Sequence, residues 1–333
     1  VRECIRSASA QQSNRRTHLI SRVLVTGASG FVAAAVLAAR TANLEFVAAS
    51  RSPPKNSGIG WSRSPALSGA ANWKPLLEGI DSVVHLAGRV HLSSDANTSA
   101  YQVENCDGTI KLARDAAAMG VTRFVFMSTA KVLGDESGAV ALDESASCRP
   151  ADAYAMSKHL AEQGLQAIGN GLRVLILRPP LVYGPGVRAN FLSLMSAVYR
   201  GLPLPLASIQ NKRSFIGVAN LASAILASLD SNAVSGRIFH VTDGASHSTP
   251  ELAMVIARSL GRQSRLVPFP PGLLEACATA VGRGEAVKRL TRSLELDDTA
   301  FRTELGWREV KTFEEGVAET ARWYLDRSRS DST

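Results

Sequence analysis

The run Val23-Leu24-Val25-Thr26-Gly27-Ala28-Ser29-Gly30-Phe31-Val32-Ala33 narrows the possible folds more than any other stretch of the chain. A short apolar segment rich in β-branched residues reads as a buried parallel strand. It breaks at Gly27, and an alanine-rich helical pattern follows to about Arg40. A strand that enters a helix through a glycine turn leaves free backbone N–H groups and the positive end of the helix aimed at one spot, which suits a phosphate. Gly27 permits the turn, Gly30 lets an anion approach the backbone closely, and Ala33 is small enough for tight packing of helix on strand.

Further apolar strand candidates fall near 44–49, 80–86, 122–128 and 172–178, with helical patterns between them. Such alternation predicts a parallel sheet covered by helices on both faces. Right-handed crossovers then place a ligand crevice at the C-terminal ends of the strands. The stretch 51–72, rich in Ser, Pro, Gly and Ala, has no strand period and reads as surface loop. After Arg178 the chain is richer in proline and loops, as a second, smaller lobe would be, although Arg237-Ile238-Phe239-His240-Val241 reads as a late strand able to return to the main sheet. Thr249-Pro250-Glu251 opens a helix with a capping residue and a proline in the first turn, and Gly261 closes it. There is no internal repeat.

Tyr154 and Lys158 stand four residues apart in Tyr154-Ala155-Met156-Ser157-Lys158. On a helix this spacing puts both side chains on one face. A phenol ordinarily keeps its proton to a pKa of about 10, and an ammonium one turn away is expected to favour the phenolate and bring proton transfer within reach.

With the glycine turn and this pair in one chain, the sequence resembles the extended short-chain dehydrogenases/reductases, the group of nucleotide-sugar epimerases, dehydratases and ketoreductases. Other segments agree in order: Asp81 to Gly88, Asn105 with Gly108-Thr109, Phe124 to Thr129, and Arg178 to Gly186. The resemblance spans roughly residues 20 to 327. It implies a Rossmann-like, doubly wound α/β fold, with an NAD(P)-binding domain at 21–178 and an interleaved C-terminal substrate-binding lobe at 179–327; residues 1–20, which lack the apolar core of a secretory signal, read as a disordered leader or as sequence upstream of the true start, and 328–333 as a disordered tail. It further implies that Tyr154 exchanges a proton with the substrate oxygen, that Lys158 holds the nicotinamide ribose and lowers the tyrosine pKa, and that Thr129 orients the same oxygen. Hydride passes directly between cofactor and substrate, so no metal is called for. Cofactor contacts are expected from Gly27, Ser29, Gly30, Phe31 and Val32, from Leu86, Ala87, Gly88 and Asn105, and from the end of the second strand. There an NAD enzyme usually carries a carboxylate, whereas this chain has Ser50-Arg51, which favours NADP(H), with NAD(H) the alternative.

Thr129 is followed by Ala130-Lys131, not by the Asp-Glu of 4,6-dehydratases, so that activity is excluded. Ser128, Lys131, Asn190, Leu206 and Arg213 are the expected substrate contacts, with Arg213 clamping a diphosphate. Lys131 reads equally as a surface lysine, Asn190 as a cap, Leu206 as core and Arg213 as a surface ion pair. The segments Arg89-Val90-His91, Ser128 to Val132 and Asn211 to Ser214 resemble the bacterial branch that handles UDP-activated N-acetylated 6-deoxyhexoses for O-antigen. Within it, Leu133 in place of tyrosine and the NADP-type strand end favour a 4-keto reductase over a 4-epimerase; reduction of a non-sugar ketone and a non-catalytic dinucleotide sensor are the further alternatives. Homodimerisation through helices near 101–119 and 154–168 is implied as well.

Composition agrees with an α/β enzyme, at 45% hydrophobic residues and 26 glycines in 333. Four of the net eight positive charges lie in residues 1–22, and the basic residues are neither interleaved with aromatics nor gathered on one helix face, which argues against nucleic acid. No apolar run approaches the ~20 residues of a membrane span. Cys4, Cys106, Cys148 and Cys277 lack metal or disulfide spacing, and a reduced, cytoplasmic protein is expected.

Overall fold

The structure, a computed structural model, describes residues 21–39, 41–54, 58–90, 98–169, 171–231 and 235–330; the leader 1–20, His91 and residues 331–333 lie outside them. The first half runs β1 (Ser21–Thr26), α1 (Phe31–Ala38), β2 (Leu44–Ser50), β3 (Trp61–Arg63), α2 (Lys74–Leu77), β4 (Ser82–His85) and α3 (Thr98–Tyr101). A π-helical stretch, Gln102–Asp107, joins α3 to α4 (Gly108–Ala118). There follow β5 (Arg123–Met127), a 3₁₀ turn (Ala130–Leu133), α5 (Ala153–Gln166) and β6 (Arg173–Arg178). The second half comprises β7 (Leu181–Tyr183), α6 (Ala189–Tyr199), β8 (Phe215–Gly217), α7 (Val218–Asp230), β9 (Arg237–His240), α8 (Thr249–Ser259), α9 (Pro271–Ala280), α10 (Gly284–Thr291), α11 (Thr299–Leu305) and α12 (Phe313–Ser330).

Seven parallel strands form one sheet in the order β3-β2-β1-β4-β5-β6-β9. Alternate residues of each strand face opposite layers. Val23, Val25, Val84 and Val125 pack with Val36 of α1 and Leu221 and Ile225 of α7. Leu24, Val83, Phe124 and Phe126 pack on the other face with Leu112 and Ala116 of α4 and Ala161 and Leu165 of α5. Because every central strand is covered twice, the strands are apolar along their middles, with polar residues confined to their ends. A third core unites α6, α8 and α12 with Tyr183 of β7 and Phe215 of β8, the two strands of a small separate sheet.

Three expectations need correction. The stretch 51–72 contains β3, which pairs Ala48, Ala49 and Ser50 with Trp61, Ser62 and Arg63. As a three-residue edge strand with Trp61 and Arg63 exposed, it has no buried alternation to betray it. The chain after 327 stays helical to Ser330, where the Ser328 hydroxyl bonds back to the Tyr324 carbonyl and Arg327 and Arg329 suit the negative helix end. The cap of α8 is Ser248, in a capping box with Glu251, one residue before Thr249. The late strand does return: β9 pairs with β6 along Leu175–Arg178.

Gly27 is the tightest point of the sheet's ligand end. Its φ is +70°, and a Cβ there would lie 2.7 Å from the backbone nitrogen of Ala87 in the loop after β4. Gly27→Ala is therefore expected to cost at least about 1–2 kcal/mol from the left-handed backbone alone, with the Ala87 overlap added, read as a lowered urea midpoint.

Candidate active site

The β1–α1 turn delivers the backbone donors that the sequence promised. Gly30 caps α1 without any side-chain hydrogen bond, leaving the first-turn N–H groups of a helix that begins at Phe31. Ser29 and Gly30 are exposed, and Val32 packs on the core below. Phe31 turns instead toward the second lobe: a Cβ at Gly186 would lie 3.3 Å from its ring. Across the turn, a Cβ at Gly88 would lie 3.0 Å from Asn105 Oδ1 and 3.4 Å from Lys158 Nζ. Free helix N–H groups beside glycines whose side chains would fill the space are the donor set a dinucleotide pyrophosphate requires, and these residues fit it.

Behind the turn lies a residue whose role the sequence did not reveal. His85, at the end of β4, bonds through Nδ1 to Thr26 Oγ1 at 2.7 Å and through Nε2 to Thr109 Oγ1 at 2.9 Å. Thr26 Oγ1 in turn accepts from Ala87 N at 3.3 Å. Burial, assisted by the Lys158 charge, lowers the His85 pKa from 6.5 to about 3, so the ring is a neutral bridge between α4 and the ends of β1 and β4. Asn105 is also a brace: its Oδ1 accepts from Arg89 N at 2.7 Å, and its Nδ2 donates to Arg89 O at 2.9 Å and Ser157 Oγ at 3.1 Å. It fixes the loop of Leu86, Ala87 and Gly88 and has no free polar atom to offer a cofactor.

At the end of β2 the two expected side chains separate. Ser50 is buried, its hydroxyl donating to Ser52 O at 2.6 Å and accepting from Trp61 Nε1 at 3.0 Å. Arg51 is exposed, and so is Arg63, which stands in register with Ser50 on β3.

Tyr154 and Lys158 share α5, which starts where Asp152 Oδ1 accepts from Ala155 N at 2.7 Å. Thr129, at the head of the 3₁₀ turn, reaches the phenol and opposes the upward shift of its pKa. That shift is nevertheless upward, to about 12: burial dominates and the Asp152 carboxylate adds to it. Lys158 does not produce the expected depression. Its Nζ donates to Met127 O at 2.8 Å and lies 4.5 Å from the centre of the Phe126 ring, and burial lowers its own pKa to about 8 against the pull of Glu162. Near neutral pH the phenol is thus protonated and the lysine retains most of its charge.

Ser128 faces away from this group. Its hydroxyl donates to Glu162, whose carboxylate also takes Arg178 Nε at 3.0 Å and Nη2 at 2.6 Å. Cys148, His159 and Glu162 offer ligand atoms within 4.8 Å of one another, yet the Arg178 guanidinium already holds the carboxylate and bonds the Cys148 sulfur at 3.2 Å, putting a cation where a metal would sit. Lys131 is ion-paired with Asp152 and lies 5.9 Å from the centre of the Tyr154 ring. Leu133 is buried with Val132, Leu294 and Leu296, so it does not present a side chain to a sugar.

On the lobe side, Leu206 belongs to the third core, with Ile209; the core alternative prevails there. Asn190 is exposed near the start of α6, directly after Ala189, whose φ is +52°. Arg213 is held by backbone bridges to His247 and Leu294, and its Nη1 donates to Arg292 O at 2.8 Å. Among the described residues no carboxylate forms an ion pair with it; burial lowers its pKa to about 10, with the Arg289 charge adding to the shift and the Asp135 carboxylate opposing it. Arg289 of α10 also acts on Asp152, so one exposed cation links the fields of Arg213 and the Tyr154 helix. Sequence reasoning missed Arg289 because Lys288 and Arg289 stand side by side on α10 and only the tertiary fold brings one of them near Asp152 and Arg213.

Since His85 is neutral when folded and takes up a proton below pH 6.5 once unfolded, its contribution to stability is lost as the pH falls from about 6.5 toward 3. The slope is about 1.4 kcal/mol per pH unit. Between pH 7 and pH 5 His85→Gln is therefore expected to lose about 2 kcal/mol less stability to urea than the parent, since the slope acts only below about pH 6.5.

Residues 23–242 match the NAD dependent epimerase/dehydratase family. A UDP-glucose 4-epimerase of Vibrio cholerae is 33% identical over 314 residues, covering 91% of this chain and 95% of the relative. Among solved structures, MoeE5 in complex with UDP-glucose and NAD superposes with a TM-score of 0.75 at 24% identity, covering 92% of this chain and 100% of that one. The UDP-glucuronic acid 4-epimerase of Bacillus cereus in complex with NAD gives 0.74 at 19%, covering 91% and 96%. A glycine turn, a Thr-Tyr-Lys cluster and a two-thirds-length sequence match place this chain in the NAD dependent epimerase/dehydratase family, as an extended short-chain dehydrogenase/reductase.

Proposed function

We propose that the protein is a UDP-sugar 4-epimerase that oxidises and re-reduces C4 of a UDP-hexose. The observation that carries the reading is the placement of Thr129, Tyr154 and Lys158 at the C-terminal end of the sheet, with Arg289 acting both on Asp152 at the head of the same helix and on an Arg213 that forms no ion pair among the described residues. A phenol with a pKa of about 12 donates its proton readily only to an oxygen that is gaining charge, such as that of a carbonyl being reduced. Thr129 supplies the second hydrogen bond to that oxygen, and Lys158 holds positive charge beneath it. Bound NAD would supply the hydride acceptor and donor and, when oxidised, a positive charge that favours the phenolate. Arg213 and Arg289 would bind the diphosphate, and Asn190 would assist at the mouth of α6. The curated relative supports 4-epimerisation by its activity, and Leu133, buried in the core, no longer argues against it.

Reduction of a UDP-4-keto-6-deoxy-N-acetylhexosamine is the second reading. What favours it is the strand end: no carboxylate follows β2, and Arg51 and Arg63 are both exposed there, an arrangement suited to the 2′-phosphate of NADP(H). Ser50 contributes nothing to that preference, its hydroxyl being used. A homodimer through α4 and α5 and the helical segment before α4 is supported by exposed Val103 and Met156, and light scattering at twice the monomer mass checks it. Cys106, Cys148 and Cys277 are free thiols, which supports a reducing cytoplasmic setting; no described helix is long and apolar enough to cross a membrane.

Purified protein is expected to interconvert UDP-glucose or UDP-N-acetylglucosamine with its C4 epimer without net change at 340 nm. Tyr154→Phe lowers that rate by roughly 100- to 10,000-fold, and Arg213→Ala acts mainly by raising KM. Stoichiometric loss of NADPH absorbance with the 4-keto sugar, and no epimer formed from either hexose, would replace the first reading by the second. Turnover of neither class would defeat both.

A further inference from the structure

Asp152 caps the helix that carries Tyr154. Its Oδ1 accepts from Ala155 N at 2.7 Å, a task that serine or asparagine performs equally well. The carboxylate, two residues from Tyr154, opposes loss of the phenolic proton. Its other oxygen, Oδ2, is taken by the Lys131 ammonium. Lys131 comes from the 3₁₀ turn that Thr129 opens, and its own backbone N–H donates to Thr129 Oγ1 at 3.3 Å. One short turn therefore carries both the hydroxyl that reaches the phenol and the cation that neutralises the acid beside it.

We propose that the Lys131–Asp152 ion pair is a positioning unit for Tyr154, in which Lys131 cancels the charge of the helix cap and thereby sets the proton affinity of the phenol. The proposal rests on the reading of Tyr154 as the acid–base group. Among the described residues, the charged and titratable groups around the phenol are few. Asp152 lies at the head of its own helix, Lys131 on the 3₁₀ turn with Thr129, and Tyr101 on α3 with its ring centroid 6.1 Å away. Lys158 lies one turn along α5, and Arg289 of α10 acts on Asp152. The Lys158 ammonium is bonded to Met127 O and makes no ion pair with Asp152. Arg289 is exposed and makes no ion pair with Asp152. Lys131 is the cation in direct contact with the acid. Lys131 is thus assigned to Tyr154, and the expectation that it grips the sugar or a phosphate is set aside.

The test is the pH dependence of kcat for the full chain and for Lys131→Met, Lys131→Arg, Asp152→Asn and the double variant Lys131→Met/Asp152→Asn. Asparagine keeps the cap, so α5 remains intact. Lys131→Met bares the carboxylate and is expected to raise the apparent pKa of the tyrosine limb by about one unit, a figure suited to a partly exposed charge several ångströms away. Asp152→Asn lowers it by a similar amount, Lys131→Arg leaves it in place, and the double variant returns close to the parent. A limb that stays fixed while kcat falls equally at every pH, or while only KM rises, would overturn the proposal in favour of a structural or a phosphate-binding lysine. Tyr154→Phe separates the two levels of the argument: if that variant keeps both activity and the limb, the acid–base reading itself fails, whereas loss of both with no shift in the Lys131 and Asp152 variants condemns the ion-pair proposal alone.

Discussion

The bond between Glu162 and Arg178 fixes the site more than any apolar contact does. Both side chains have no more than 3% exposure, and they meet through two hydrogen bonds between the middle of α5 and the last residue of β6. Glu162 lies one helical turn beyond Lys158 and two beyond Tyr154, on the same side of the helix. Ser128, directly after β5, donates to the same carboxylate. Apolar packing of Ala161 and Leu165 holds α5 on the sheet, but apolar contacts tolerate small slides. A buried, bidentate pair does not, because losing one partner typically costs about 3–5 kcal/mol. Rotation of α5 is thereby fixed, and with it the direction in which Tyr154 points.

The same carboxylate also explains how a lysine can sit so deep. Lys158 is 4% exposed, and burial alone would push its proton off; Glu162 pulls the other way, and the Met127 carbonyl accepts one of its hydrogens. His85, close enough to feel the lysine, stays neutral and completes its hydrogen bonds with two threonine hydroxyls. His85 and Lys158 thus each have hydrogen-bond partners, as low-dielectric surroundings demand. Among the described residues Arg51, Arg213 and Arg289 make no ion pair with a carboxylate, and on the proposed reading they are the cations that meet an anion.

What could be read from the sequence follows from range. The β1 turn, the strands of the main sheet and the Tyr-x-x-x-Lys face depend on spacing within one element, and spacing is printed in the chain. The return of β9 was legible for the same reason, as an apolar run with β-branched character. The roles of Ser128, Asn105, Ser50 and Leu206 were not, since each is settled by a partner far away in sequence: Glu162 for Ser128, Arg89 and Ser157 for Asn105, Trp61 for Ser50, and the helices of the second lobe for Leu206. A hydroxyl or amide announces that a hydrogen bond will form and says nothing of its direction. β3 escaped because an exposed edge strand of three residues has no buried face to pattern.

Residues 130 and 131 show how local geometry converts a residue type into a chemical limit. The 3₁₀ turn sends neighbours in different directions: Ala130 is 1% exposed and packs with Val132, Leu294 and Leu296, while Lys131 points out to Asp152. A carboxylate at 130 would be buried among leucines at a cost of several kcal/mol, and one at 131 would face the Asp152 carboxylate with no cation between them. The absence of an acid–base pair for dehydration is therefore built into the packing and not only into the choice of side chains. If Tyr154 and Thr129 act as proposed, the protons they can manage are those of a single oxygen, which suits chemistry at one carbon bearing a hydroxyl or a ketone.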